Sequence, residues 1–172
     1  MNFNLPNALT LLRIILIPLI VILFVSNDES NRFLAFLLFL IASITDYLDG
    51  LLARYMKQQT NFGEFLDPVA DKLLVIITMI LLISENQEIL FMIPVLVIVT
   101  REFLVIAIRQ RLAEVGENIK LSVILISKIK TAIQLISLLL LLYKYPFLGY
   151  DTYLYGIILL QVSAILTLIS FF

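Results

Sequence analysis

Six apolar runs, each long enough to cross a lipid bilayer, make up most of this 172-residue chain and leave it few choices of fold. A spanning helix needs roughly 20 mostly apolar residues. The runs extend approximately from Leu9 to Val25, Phe33 to Tyr55, Phe65 to Ser84, Ile89 to Arg109, Leu121 to Tyr143 and Tyr150 to Phe172. The chain is 62% hydrophobic and only 15% charged, and a water-soluble domain of this length has too much surface per unit volume to hide so much apolar area. The expectation is an all-α, polytopic membrane protein: a six-transmembrane-helix bundle forming a single membrane domain over residues 1–172. No basic segment precedes the first run and no clear small-x-small site follows it, so it is expected to be a retained span rather than a cleaved leader.

The breaks between runs carry turn chemistry: Ser26 to Asn31, Gln58 to Asn61, Glu85 to Glu88, Glu114 to Asn118 with Gly116, and Lys144 to Gly149. Cations are distributed unevenly among them. Arg54, Lys57 and Lys72 flank the second break, and Arg109, Arg111, Lys120, Lys128 and Lys130 the fourth, whereas the first has Arg32, the fifth Lys144 and the third none. Basic residues stay on the cytoplasmic side. The second and fourth connections are therefore expected in the cytoplasm, and with six spans both termini as well. Tyr143, Tyr145, Phe147, Tyr150, Tyr153 and Tyr155 gather around the fifth break, as an interfacial aromatic belt does.

Within this apolar frame, four aspartates fall in one stretch: Asp46, Asp49, Asp67 and Asp71. Carboxylates at the edge of a membrane are costly unless compensated, and four close together also repel one another. Asp46, Asp49 and Ala53 follow i, i+3, i+7 spacing, and Gly63, Asp67 and Asp71 follow i, i+4, i+8, so each set shares one face of its helix. A short antiparallel return brings the two faces together, and a divalent cation or a pair of them is the simplest compensation. The chain has no cysteine and no histidine. Disulfides and thiolate sites are excluded, a general base has to be Asp, Glu, Lys or Tyr, and an all-oxygen ligand set favours Mg²⁺ or Mn²⁺. A net charge of −1 argues against a nucleic-acid partner. Gly50 lets another group approach the helix closely, and Arg54 suits bidentate contact with a phosphate. An intramembrane cation pathway in a transporter is the competing reading of the same acids.

Asp46, Asp49, Gly50, Ala53, Arg54, Gly63, Asp67 and Asp71 together resemble the signature of the CDP-alcohol phosphotransferases, complete at its eight positions. The likeness extends to Pro6 and Asn7 through Arg13, to Leu66 through Lys72, to Arg101-Glu102-Phe103, and to Lys128 through Thr131. The first of these is similar to the family's opening; the others, with Thr45-Asp46 and Asn61-Phe62-Gly63, are similar to the branch of the family that uses glycerol 3-phosphate as acceptor. Ser127 departs from that branch, which has glycine before the lysine.

The resemblance implies transfer of a phosphatidyl group from CDP-diacylglycerol to glycerol 3-phosphate with release of CMP, in a bacterial-type inner membrane, by a homodimer with its active site facing the cytoplasm. It implies two divalent cations, Mg²⁺ or Mn²⁺, held by Asp46, Asp49, Asp67 and Asp71, with Asp71 also the general base. Gly50, Ala53, Arg54 and Gly63 would hold the CDP group, aided by Asn7 and Thr10. Arg101, Arg109, Lys128 and Lys130 would bind the acceptor phosphate. Arg101 stands within the fourth run, where a charge needs a reason; neighbours on a helix do not face each other, so pairing with Glu102 is not expected. Phosphatidylglycerol, serine or an inositol phosphate remain alternative acceptors for the same chemistry.

Overall fold

The computed structural model describes residues 5–26, 28–56, 61–115, 125–147 and 149–170. Side chains are described for these except at 5–7, 46–56, 61–65, 67–68, 109–110, 112–115 and 125–127. The described residues form six helices: α1 (Leu5–Val25), α2 (Glu29–Met56), α3 (Asn61–Glu85), α4 (Ile89–Val115), α5 (Leu125–Tyr143) and α6 (Thr152–Ile169). Among the described residues three segments, Ala8–Val25, Ile89–Ile108 and Thr152–Ile169, are long and apolar enough to cross a membrane. The chain is thus an all-α integral membrane protein.

Several helices begin or end in residues whose polarity reads as a turn. α2 starts at Glu29 rather than Phe33, α3 at Asn61 rather than Phe65, and α4 continues past Arg109 to Val115. Hydropathy reports the stretch that must leave water. Backbone hydrogen bonding has no such limit, so a spanning helix extends into the polar zone; at ~1.5 Å per residue the 27 residues of α4 are ~40 Å long, against a hydrocarbon core of ~30 Å. Residues 57–60 and 116–124, within the second and fourth breaks, lie outside the described residues.

The chain divides into two compact units, Met1–Leu82 and Ile83–Phe172. In the first, α1 and α2 pack as a hairpin. Its turn is fixed by Ser26, whose Oγ donates to the Leu23 carbonyl at 2.7 Å and accepts from Asn31 Nδ2 at 2.9 Å. The Arg32 guanidinium lies 4.9 Å from the centre of the Phe24 ring. Thr10, Arg13, Ile17, Ile20 and Phe24 form the buried row of α1, at alternating three- and four-residue spacing. Ala35, Phe39 and Ala42 form that of α2, and the two alanines let the helix backbones come close. In α3 the buried row is Ala70, Leu74, Thr78 and Leu82.

In the second unit α6 packs against both α5 and α4. α5 and α6 form a hairpin closed by a two-bonded bridge in which Phe147 N–H donates to the Tyr150 carbonyl and Tyr150 N–H to the Phe147 carbonyl, both 3.0 Å. Gly149 supplies the left-handed φ of +82° that this reversal needs. Asp151 caps α6, accepting from the N–H groups of Tyr153 at 3.0 Å and Leu154 at 3.2 Å. Gly156 lies against Leu141: a Cβ on it would stand 2.7 Å from that side chain. Ser137 Oγ takes advantage of the approach and donates to the Gly156 carbonyl at 2.7 Å. Asn86 Nδ2 donates to Tyr153 Oη at 2.6 Å, and Lys144 pairs with Glu85, so polar side chains cluster at the end of the unit that carries the tyrosines.

Candidate active site

The acidic signature continues rows that are already buried. Stepping by three and four from Ala35, Phe39 and Ala42 leads to positions 46, 49 and 53 on α2. Stepping back from Leu74 along α3 leads to positions 71 or 70 and 67. The packing that brings apolar side chains inward therefore carries the aspartate positions along the same faces.

Helical register relates these positions to α1. Ser26 meets Asn31, and Phe24 meets Arg32, at the turn. Each step back along α1 is matched by a step forward along antiparallel α2, which brings Arg13 about level with Ser43, Thr10 with Asp46 and Asn7 with Asp49. Thr10 is fully buried. Asp71 is tied to this level directly, since its Oδ1 accepts a hydrogen bond from Arg13 Nη1. Arg13 is 0% exposed, while the Asp71 side chain is 36% exposed. One ion pair thus joins α1 to α3 about one turn from the level of Asp46.

The side chains of Asp46, Asp49, Asp67, Arg54, Asn7 and Arg109 lie outside the described set, and no cluster of three acidic, histidine or cysteine side chains that could hold a metal is found among the described residues. Gly50, Ala53 and Gly63 fall within α2 and α3, in the segments that carry the acids. Of the four signature acids, Asp71 alone has its side chain described: it is about a third exposed and anchored by the buried Arg13 guanidinium, and carboxylate oxygen is a donor that a hard divalent cation accepts.

The second unit contains a separate charged cluster. Glu102 is 5% exposed at its side chain and accepts from Lys130 Nζ at 2.5 Å; Lys130 is 1% exposed. Arg101 Nη2 donates to Ser170 Oγ at 3.0 Å and, more weakly, to the Ser170 carbonyl at 3.4 Å. Its Nη1 stands 3.5 Å from Glu102 Oε1. The expectation that neighbours Arg101 and Glu102 do not meet is corrected here: the arginine side chain is long enough to curl back to the edge of hydrogen-bonding range. Among the described residues, Arg101 Nε is buried without a hydrogen-bond partner. Lys128, two residues from Lys130, is exposed.

Three residues that matter in these contacts carry no role in the sequence reading: Arg13, Glu102 and Ser170. Arg13 was detectable. A lone arginine in an apolar run is as costly as Arg101 and calls equally for a partner. Ser170 gave no signal.

Fold and site together describe a helical membrane protein that concentrates carboxylates on two consecutive helices. The family profile for CDP-alcohol phosphatidyltransferase matches residues 3–169, and the chain belongs to that family. Three relatives carry the name CDP-diacylglycerol–glycerol-3-phosphate 3-phosphatidyltransferase. That of Haemophilus influenzae is 43% identical over 172 residues, covering 99% of this chain and 90% of the relative. Those of Wigglesworthia glossinidia brevipalpis and Escherichia coli K12 are 42% and 41% identical over 170 residues, each covering 99% of this chain and 92% of the relative.

Proposed function

We propose that this protein transfers the phosphatidyl group of CDP-diacylglycerol to sn-glycerol 3-phosphate, releasing CMP and forming phosphatidylglycerophosphate. The observation that carries this reading is identity of 41–43% over nearly the whole chain to enzymes of that name. The complete eight-position signature supports it.

In this reading the chain is one catalytic domain of six spans, with both termini and the acidic site on the cytoplasmic side of a bacterial inner membrane, and it works as a homodimer. Positive-inside asymmetry around the second and fourth connections supports that orientation. Asp46, Asp49, Asp67 and Asp71 hold two divalent cations, Mg²⁺ or Mn²⁺. When bound, the cations neutralise the diphosphate and stabilise charge at the reacting phosphorus. Gly50, Ala53 and Gly63 give the nucleotide access to the helix backbones, Arg54 meets a phosphate, and Asn7 and Thr10 hold the nucleotide from α1. The acceptor hydroxyl oxygen bonds to the phosphorus that bears diacylglycerol. The bond from that phosphorus to the oxygen of CMP breaks, and the hydroxyl proton passes to the Asp71 carboxylate.

Arg101, Arg109 and Lys128 supply positive charge for the acceptor phosphate, and Lys130, buried against Glu102, supports that cluster. Arg101 fits best, because among the described residues its guanidinium is held by Ser170 and a long contact to Glu102. Lys130 acts through its buried bond to Glu102.

An acceptor panel tests the reading. Purified protein, CDP-diacylglycerol and Mg²⁺ are incubated with glycerol 3-phosphate, phosphatidylglycerol, serine or inositol phosphate singly, and CMP is measured. Release with glycerol 3-phosphate alone is expected. Release with a different acceptor reassigns the substrate, and ion flux without CMP would point to the transporter reading.

A further inference from the structure

The ion pair between α1 and α3 is asymmetric in a way that stability alone does not call for. The attraction between two paired charges is strongest when both leave water, though each then has a desolvation cost to offset. Here the guanidinium is 0% exposed and the carboxylate side chain 36% exposed. The cation is the hidden half, and the acid faces outward at the level of the signature. Arg13 also belongs to the buried row of α1, one turn from Thr10, so packing along the helix fixes its place.

Such an arrangement controls a carboxylate's direction. A guanidinium presents its donors in a rigid plane. With Oδ1 committed to Nη1, the Asp71 carboxylate no longer turns freely about its terminal bond, and its other oxygen works from a set position. Groups behind a metal ligand that hold its orientation affect affinity and rate nearly as much as the ligand does.

We propose that Arg13 is a positioning residue: from within α1 it orients the Asp71 carboxylate toward the cation and the acceptor hydroxyl. This rests on the assignment of Asp71 to the cation site. It adds the first helix to the catalytic machinery as a support and gives a task to a charge that the signature does not include.

The test measures Mn²⁺ binding to the purified full-length protein without substrate, by electron paramagnetic resonance of the free ion, beside CMP release and circular dichroism. Arg13→Gln is expected to keep its helical content and weaken Mn²⁺ binding by about 10–100-fold, the range for loss of a ligand's support. Arg13→Lys keeps the charge but not the planar fork, and its Mn²⁺ affinity falls between the two. Placed in an Asp71→Asn background, Arg13→Gln weakens Mn²⁺ binding far less than it does alone, since the proposed effect runs through that carboxylate. Parental Mn²⁺ affinity in a folded Arg13→Gln or Arg13→Lys protein overturns the proposal. So does an undiminished effect in the Asp71→Asn background. If neither single variant folds, the pair is structural and the proposal also fails. Absence of Mn²⁺ binding by the parent protein overturns the cation assignment, and CMP release with another acceptor overturns the substrate assignment; each result differs from the ones that remove Arg13's role.

Discussion

Two cross-helix ion pairs, Arg13–Asp71 in the first unit and Lys130–Glu102 in the second, use the same forces to different ends. In the first, only the cation is withdrawn from the surroundings; in the second both groups are, with the side chains 1% and 5% exposed. A carboxylate with one side open keeps the capacity to bind a cation or accept a proton. One sealed against a lysine gives up that capacity and becomes scaffolding, which holds α4 to α5 and sets what stands beside it. Arg101, next to the sealed pair and 14% exposed at its side chain, is what the second cluster presents outward. Apolar surroundings therefore do not by themselves mark a charge as structural or catalytic. Which partner is hidden does.

The sharpest way to break this contrast is to neutralise each acid. Asp71→Asn is expected to lower CMP release by about 10²–10⁴-fold, the range for loss of a general base, while CDP-diacylglycerol still binds in an equilibrium assay. A variant with full turnover would remove Asp71 from the chemistry. Glu102→Ala should act on folding instead. It leaves Lys130 buried without its carboxylate, at a cost of about 3–5 kcal/mol, read as a lower unfolding temperature in detergent. Unchanged stability would show that Glu102 is not the scaffold described here. The smallest effect belongs to Arg101→Ala, which should raise the KM for glycerol 3-phosphate about tenfold, or ~1.4 kcal/mol, with the KM for CDP-diacylglycerol nearly constant. Equal shifts for both substrates would place Arg101 with the structural pair.

The apolar runs foretold the helices well, because burial in lipid leaves the backbone little alternative. Their ends were less legible: Glu29 to Asn31 and Asn61 read as turn residues yet continue α2 and α3. Spacing alone puts positions 46, 49 and 53 in register with Ala35, Phe39 and Ala42; their own side chains lie outside the described residues. What spacing does not contain is the register between helices remote in sequence. Glu102 and Lys130 are 28 residues apart, and Arg101 and Ser170 69. Those meetings depend on how far α4, α5 and α6 slide past one another, which no local pattern encodes. Arg13 is a different case. As a lone charge in an apolar run it calls for a partner just as Arg101 does, and spacing does not say which acid answers it.

Arg13 also has a bearing on how the chain is made. Its aspartate partner lies 58 residues further along. At ~5–20 residues per second a ribosome needs roughly 3–12 s to cover that distance. For that interval the nascent first helix carries a guanidinium whose partner Asp71 has not been translated, a charge that costs free energy in an apolar segment until its partner arrives.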